Sequence, residues 1–137
     1  MTFIKPFFYS FIPAILWWLF VLVLLCTPGE DLPKLGSWTE LVNFDKIIHI
    51  FIFGLMAYLF MKPIAQKVIS QNSKKKIFLK ITIAIALWGL TTEFIQDFWI
   101  EGRSFDLWDF AADSIGACAV FVLSKRLTQK NAKITIN

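Results

Sequence analysis

The most regular feature of the chain is a series of four long apolar runs separated by short polar segments. The runs cover about residues 7–26, 45–61, 77–100 and 106–123, and the last carries polar residues in its first half. A membrane-spanning helix needs roughly 20 mainly apolar residues. Turn and breaker residues lie between the runs: Thr27-Pro28-Gly29, Pro33, Gly36, Pro63 and Gly102. The pattern predicts one all-α domain, an integral membrane bundle of four transmembrane helices, followed by a basic tail at 124–137.

The composition supports lipid as the solvent of this bundle. Hydrophobic residues make up 57% of the chain, with 15 Phe and 6 Trp, and only 18% of the residues are charged. A soluble domain usually has about a quarter of its residues charged. A core of this size could not bury so much apolar surface, so an ordinary soluble fold is excluded.

The first apolar run could instead be a cleaved signal peptide, because Lys5 precedes it. However, no small-residue cleavage site follows, and the run is long enough to span a membrane. A lipoprotein site at Cys26 is also disfavoured, because Leu25 stands where a small residue is needed. We therefore expect the first span to be retained.

The basic residues predict the orientation of the bundle. With the N-terminus inside, eleven of the fourteen Lys and Arg residues fall on the cytoplasmic side, as the positive-inside rule requires. All ten Asp and Glu residues then fall in outer segments or near the outer ends of spans. The positions of the acidic residues are independent of the count of Lys and Arg, so they support the same orientation separately. Both termini are predicted to be cytoplasmic, in the cell membrane of a bacterium.

The net charge of +4 does not indicate a nucleic-acid partner. No basic stripe is interleaved with exposed stacking aromatics, whereas lysines at membrane surfaces meet anionic lipid head groups. Membrane lipids are therefore the predicted partners, and no nucleic acid is expected.

Polar residues within the spans gather near the outer ends of three helices. Residues three or four positions apart share a helix face. On that basis three groups form: Asp45 with His49; Glu93 with Gln96 and Asp97; and Asp106 with Asp109 and Asp113. The last stripe continues into Gly116 and Ala117, small residues that would allow a close approach to a neighbouring helix.

The free-energy cost of exposing these ionisable groups to lipid indicates whether they face the lipid or the interior of the bundle. A charged residue at the centre of a span costs about 2.5–3.5 kcal/mol, and five such groups facing lipid near the interface would cost roughly 10 kcal/mol. We therefore expect an inward-facing polar cleft open to the outside. The alternative is that these groups only join helices through hydrogen bonds.

Arg103 follows Gly102 in a tight turn at the outer end of the third span. It could contact an anion from above the cleft, or it could form a salt bridge with Asp106 or Asp109. Both roles need the same position, so the sequence leaves them open.

Several of these motifs together resemble the VanZ-like family of small multi-pass membrane proteins. They are Thr27-Pro-Gly-Glu-Asp-Leu-Pro, Asp45-Lys46-Ile-Ile-His49, Glu93-Phe-Ile-Gln96, Gly102-Arg103-Ser104, Asp106, Asp109 and Asp113-Ser-Ile-Gly116. The family takes its name from a protein linked to teicoplanin resistance, and most members lack an assigned activity. The resemblance implies a VanZ-like membrane domain and, by association, a role in the cell envelope and in glycopeptide antibiotic resistance. This chain has Trp-Ile-Glu before the Gly-Arg of the turn, where family members often have Pro.

Three functions are open at this point. The first is a binding protein whose cleft holds a head group of an envelope lipid, a cell-envelope precursor or a glycopeptide-related molecule. Its predicted binding residues are Asp45, His49, Glu93, Gln96, Arg103, Asp106, Asp109 and Asp113. The second is a membrane-embedded enzyme on a lipid-linked substrate, with His49 and Glu93 as catalytic candidates. Under this hypothesis Glu93 and the aspartates of the fourth span either orient His49 or hold a divalent metal. The third is a structural or accessory subunit.

No linear motif indicates a metal or a cofactor. The chain has no zinc-like spacing and no nucleophile signature, and Cys26 and Cys118 stand alone in apolar runs. Neither a metal nor a cofactor is predicted. We expect binding rather than catalysis, since a single histidine more often has a structural role.

Overall fold

The computed structural model describes residues 7–28 and 44–134, the last ten by backbone alone. A short 3-10 turn, Phe7–Phe11, leads into α1 (Ile12–Leu25), and α2 (Phe44–Gln66), α3 (Gln71–Trp99) and α4 (Leu107–Ile134) follow. These two described ranges contain no strand. Within them the protein is all-helical, as predicted, whereas Glu30, Asp31, Pro33, Gly36 and Glu40 lie outside the described residues.

Successive helices run antiparallel, so the bundle has two distinct ends. The Gln96 side chain donates to the Leu25 carbonyl, and Glu93 accepts from the Asp106 backbone N–H. The ends of α1 and α3 therefore meet the start of α4 at one end. We call this the polar end, and we call the opposite one, where the Lys67 ammonium lies over the Phe7 ring, the lysine end.

Four helical segments are long and apolar enough to cross a membrane: Phe7–Leu25, Phe44–Gln66, Gln71–Trp99 and Leu107–Ser124. The predicted number of spans is therefore confirmed, and their positions agree closely at the polar end. At the lysine end, the structure extends three of the predicted helices. The bundle has the architecture of a multi-pass membrane protein, while the side on which its termini lie stays a prediction.

The predicted end of the second helix at residue 61 was too early. Lys62 and Pro63 suggested a break there, but α2 includes Pro63 and continues to Gln66. Proline removes one backbone donor and usually kinks or breaks a helix interior, yet α2 continues for three residues beyond it. The Lys74 ammonium donates to the Ala65 carbonyl at 2.7 Å, which satisfies one acceptor at this end of α2.

The third helix likewise begins earlier than predicted, at Gln71 rather than near residue 77. Ser70 provides the N-cap, and its side chain accepts from the Ser73 backbone N–H at 3.1 Å. Serine at this position supplies an acceptor for a helix donor that would otherwise be unpaired. The lysines that follow are therefore helical rather than part of a loop.

Helix α2 lies at the centre of the apolar core, and α1 packs more loosely on its surface. Ile52, Phe53, Met56 and Met61 of α2 are all nearly or fully buried. The Trp17 indole N–H donates to the Ile52 carbonyl at 3.1 Å, which ties α1 to α2. Large apolar side chains remain exposed along the helices, as a lipid-facing surface requires: Leu16, Phe20, Val23, Phe51, Leu79, Ile83, Leu87 and Ile115.

The closest helix approach joins α2 and α4 at two glycines. A Cβ added at Gly116 would lie 3.0 Å from the Gly54 nitrogen and would collide with the Ile50 carbonyl oxygen. The absence of a side chain at Gly116 therefore permits backbone contact. The predicted role of this small residue is confirmed, and Ala117 beside it is fully buried.

Exposed aromatic side chains lie at the polar end of the bundle, at the end of α3 and the start of α4. Phe98, Trp99 and Trp108 are 70%, 74% and 75% exposed. Tryptophan is enriched where the hydrocarbon of a membrane meets its head groups. These residues are therefore compatible with a polar end near the lipid head groups.

Candidate functional site

Polar side chains from three helices converge inside the polar end. Within an otherwise apolar bundle, His49 of α2, Glu93 and Gln96 of α3, and Asp109 and Asp113 of α4 are all buried. The 3–4 spacing within each helix had placed these residues on shared faces, and the structure turns those faces toward one another. The predicted inward orientation is confirmed for these five residues.

His49 and Asp113 form the deepest pair of this cluster. The His49 Nδ1 lies 2.8 Å from Asp113 Oδ1, and Asp113 has no exposed surface. The other carboxylate oxygen of Asp113 faces Gly89, where an added Cβ would lie only 2.7 Å from it. Glycine at position 89 therefore makes room for the Asp113 carboxylate against α3.

Lys46 joins the acidic residues on the outer side of this pair. Its ammonium donates to Asp106 Oδ2 at 2.6 Å, to Asp109 Oδ1, and to Asp45 Oδ2 at 3.3 Å. The hydrogen bond from Lys46 holds the pKa of Asp106 below its ordinary value. One ammonium thus neutralises part of a group of carboxylates that would otherwise repel one another.

Lys46 was missing from the predicted binding residues. It had been assigned only as an outer basic residue and as part of the family-like motif. Its position three residues before His49 places both on nearly the same helix face, and this signal could have identified it. The structure adds it to the site as the main cation.

Glu93 links α3 to the start of α4. Its Oε2 accepts from the Asp106 backbone N–H at 2.9 Å, and Asp106 Oδ1 in turn accepts from the Trp108 backbone N–H at 2.8 Å. Asp106 therefore acts as the N-cap of α4. The second oxygen of Glu93, Oε1, is buried without a hydrogen-bond partner.

Two further polar residues of α3 make contacts that support the fold. The Gln96 amide donates to the Leu25 carbonyl at 3.1 Å, which satisfies an acceptor at the C-terminal end of α1. Asp97 Oδ1 accepts from the Phe105 backbone N–H at 3.1 Å and so closes the turn before α4. Gln96 was a predicted binding residue, and its observed contact is structural.

Arg103 lies in the turn between α3 and α4, beside Gly102 with its positive φ of 72°. Its backbone N–H donates to the Ile100 carbonyl, and its Nε is buried without a partner. Within the described ranges, no ion pair joins Arg103 to Asp106 or Asp109. The salt bridge considered for Arg103 is therefore not formed, and Lys46 is the cation that pairs with both carboxylates.

Two sets of side chains could hold a metal ion. Asp45, His49 and Asp109 form one, and His49, Glu93 and Asp113 form the other, with one ligand atom from each residue within 4.8 Å of the others in its set. The first set combines two residues of α2 with one of α4, and the second takes one residue from each of α2, α3 and α4. Linear spacing could not reveal them for this reason.

Comparisons with family models, curated proteins and solved structures give no match. The resemblance to the VanZ-like family stays a prediction that depends on the motifs in the sequence.

The site is rich in carboxylates and poor in cations. Five carboxyl groups belong to it, those of Asp45, Glu93, Asp106, Asp109 and Asp113, while Lys46 and the nearby Arg103 are its only permanent cations among the described residues. Such a site can accept hydrogen bonds, hold a cation, and use its single imidazole to transfer a proton.

Proposed function

We propose that this chain is a VanZ-like membrane protein that binds the polar head group of an envelope lipid, a cell-envelope precursor or a glycopeptide-related molecule. Binding takes place at the polar end. The observation that carries the proposal is the convergence of buried His49, Glu93, Asp109 and Asp113 at one end of an apolar four-helix bundle. A purely structural bundle needs no such concentration of ionisable groups at one depth.

The position of this cluster suits a molecule that is itself held in the membrane. The exposed Trp99 and Trp108 lie at the polar end, and tryptophan is enriched at the level of lipid head groups. A ligand with an apolar tail could remain in the bilayer while its head group reaches the polar residues at this end of the bundle.

The charges of the site suit a head group with hydrogen-bond donors and one anionic group. The carboxylates accept from hydroxyl, amide or ammonium groups, as carboxylates generally do. Arg103, whose Nε has no partner, supplies a cation for a phosphate or carboxylate. Cell-envelope precursors carry both kinds of group, which favours them over lipids whose head groups have no hydrogen-bond donor.

The test compares ligand binding by the wild type and by Arg103→Ala and His49→Ala in nanodiscs of phosphatidylethanolamine and phosphatidylglycerol. A lipid-linked cell-wall precursor and teicoplanin are added, and binding is measured by native mass spectrometry. We expect both substitutions to weaken binding of at least one of them by about tenfold, which corresponds to about 1.4 kcal/mol. Teicoplanin tolerance of cells that express each variant should fall in parallel.

Lys76→Ala and Glu101→Gln are matched controls, because both residues are exposed and neither contributes to the cluster. They should bind as the wild type does. Wild-type binding and tolerance in both Arg103→Ala and His49→Ala would refute the proposal.

The same proposal places the polar end at the outer face of a bacterial cytoplasmic membrane, with both termini in the cytoplasm. The support is the segregation of charge: the described acidic residues lie toward the polar end, and Lys62, Lys67, Lys74, Lys75 and Lys76 lie toward the opposite end. Lysines favour the cytoplasmic side. A reporter enzyme that is active only outside the cytoplasm should be inactive when fused after residue 137, and an active fusion would reverse the orientation.

A second candidate function is catalysis, and the His49–Asp113 pair favours it. A carboxylate that accepts from Nδ1 fixes the tautomer of the ring and leaves Nε2 free to exchange a proton with a substrate. The His49 Nε2 lies 3.8 Å from Asp109 Oδ2, so its second nitrogen faces the outer carboxylates. This arrangement suits a general acid or base on a lipid-linked substrate, with Glu93 as the other catalytic candidate.

Product formation separates catalysis from binding. Purified wild type and His49→Gln are incubated with envelope lipids, and the products are analysed by mass spectrometry. Turnover that is lost in His49→Gln, while head-group binding persists, would assign the enzyme function. If the wild type binds the head group but forms no product, the catalytic candidate is rejected and head-group binding remains as the proposed function.

A further inference from the structure

Two carboxylate oxygens at the polar end are buried without any hydrogen-bond partner. They are Glu93 Oε1 and Asp113 Oδ2, and neither side chain has exposed surface. The other oxygen of each residue is already engaged, by the Asp106 backbone N–H and by His49 respectively. Buried polar atoms without partners are rare because they lose hydration without compensation.

His49 lies beside both residues and completes a set of three ligands. One ligand atom each from His49, Glu93 and Asp113 lies within 4.8 Å of the other two, and all three residues are buried. A metal bonded at about 2.1 Å holds its ligand atoms about 3–4 Å apart. Small rotations of these side chains would therefore close the set around one ion.

We propose that His49, Glu93 and Asp113 bind a divalent first-row transition-metal ion. Bonded to Glu93 Oε1 and Asp113 Oδ2, such an ion would give both unpartnered oxygens a partner and would neutralise two buried carboxylates. Bonded to His49 Nδ1, it would replace the hydrogen bond between this nitrogen and Asp113 Oδ1, and the Nδ1 proton would leave to solvent. The ligands come from α2, α3 and α4, so the ion would also join the three helices.

The second potential set, Asp45 with His49 and Asp109, is a weaker site for an ion. The Lys46 ammonium donates to both of its carboxylates, and a second cation there would be repelled. These residues lie between the buried set and the surface. Asp45 is 60% exposed at its side chain, and its Oδ1 lies 4.0 Å from His49 Nε2, so carboxylates connect the surface to the buried set.

The mixed nitrogen and oxygen donors indicate the class of ion. Mg²⁺ and Ca²⁺ prefer oxygen ligands alone, whereas imidazole suits Zn²⁺ and Fe²⁺. For a given site, Zn²⁺ binds more tightly than Mn²⁺. We therefore expect Zn²⁺ to bind more tightly than Mn²⁺, and Mg²⁺ to compete poorly with either. The ion site does not depend on the proposed head-group function, because its ligands and its test involve no lipid.

The test uses the purified full chain in detergent, stripped with a chelator and titrated with Zn²⁺ and with Mn²⁺. Isothermal titration calorimetry and elemental analysis measure affinity and stoichiometry, and thermal unfolding is measured with and without the ion. We expect about one ion per chain and a higher unfolding temperature in its presence, because the ion binds only the folded chain. Glu93→Gln and Asp113→Asn keep the side-chain shape and should each weaken binding by about tenfold or more.

Two carboxylate substitutions at the same end serve as controls. Glu101→Gln removes an exposed charge outside both sets, and Asp45→Asn removes an exposed ligand of the weaker set only. Both should bind the ion within about threefold of the wild type if the buried set is the site. No ion bound by the folded wild type, or a loss in Asp45→Asn as large as in Glu93→Gln, would overturn the proposal.

Discussion

The carboxylate of Asp113 lies directly against the backbone of Gly89. A Cβ added at Gly89 would be 2.7 Å from Asp113 Oδ2, 3.0 Å from its Cβ and 3.2 Å from its Cγ. The three atoms lie along the side chain from its base, so rotation of the carboxylate alone could not relieve all three contacts. The close packing of α3 and α4 therefore depends on a glycine at this position, and so does the placement of Asp113 beside His49.

Gly89→Ala should destabilise the protein. In an unobstructed helix the same change stabilises by about 0.5–1 kcal/mol, because alanine restricts the unfolded chain. Here overpacking, which typically costs about 1–3 kcal/mol, should outweigh that gain. We expect a net loss of about 1–2 kcal/mol in the free energy of unfolding, measured by denaturant titration in mixed micelles.

Asp113→Ala provides the control for this mechanism, because it removes two of the three colliding atoms. Gly89→Ala should be less harmful in the Asp113→Ala background than in the wild type, with a coupling of about 0.5–3 kcal/mol. Additive effects of the two substitutions would mean that Asp113 is not what Gly89 accommodates.

Gly116→Ala should separate α2 from α4 and destabilise the protein more than Gly54→Ala. A Cβ at Gly116 meets backbone atoms of Ile50 and Gly54, which cannot rotate away, whereas a Cβ at Gly54 has its nearest neighbour at 3.4 Å. We expect a loss of about 2–3 kcal/mol for Gly116→Ala and less than about 1 kcal/mol for Gly54→Ala. Thermal unfolding of the two variants side by side checks this order, and equal effects would contradict it.

The four spans and the inward-facing cluster could be predicted from the sequence because both depend on local patterns. Span length follows from apolar runs, and the 3–4 spacing of Asp106, Asp109 and Asp113 places them on one helix face whatever packs against it. The fold and the set of buried polar residues therefore followed from positions close together in the chain.

Pairings between helices could not be predicted in the same way. Lys46 and Asp109 are 63 residues apart. Whether Lys46 or Arg103 pairs with the carboxylates of Asp106 and Asp109 depends on how α2 and α4 pack. Gly89 gave no signal either, because a glycine in an apolar helix has the same local pattern whether or not a carboxylate lies against it.

Asp106→Asn separates the two roles of Asp106. Asparagine is as good an N-cap as aspartate, so the contact with the Trp108 backbone N–H should persist while the charge is lost. Since the Asp106 side chain is 39% exposed, the ion pair with Lys46 should contribute only about 0–1 kcal/mol. Asp106→Ala removes the cap as well and should cost about 1 kcal/mol more.

The pH dependence of this pair has a definite sign. The hydrogen bond from Lys46 lowers the pKa of Asp106 from 3.8, so the stabilisation is fully present above that value and is lost as pH falls through the lowered pKa. The difference in unfolding temperature between wild type and Asp106→Asn should shrink only below about pH 4. The difference between Asp106→Asn and Asp106→Ala should stay constant. A wild-type advantage that disappeared between pH 5 and 7 would assign it to another group.

Lys46→Met should destabilise the polar end because it leaves Asp106 and Asp109 without their shared cation. Removing one partner of a buried ion pair typically costs about 3–5 kcal/mol. Because Lys46 and Asp106 are 24% and 39% exposed at their side chains, we expect a smaller loss of about 1–3 kcal/mol. Adding Asp109→Asn should restore part of this stability, since the Asp109 side chain is only 11% exposed and its unpaired charge would be more costly than that of Asp106.

Lys76→Met, at an exposed position of α3 near the lysine end, controls for the loss of a positive charge and should change stability by less than about 0.5 kcal/mol. If Asp109→Asn worsened Lys46→Met instead of rescuing it, the neutralising role of Lys46 would be wrong, and its contacts would act only as hydrogen bonds between α2 and α4.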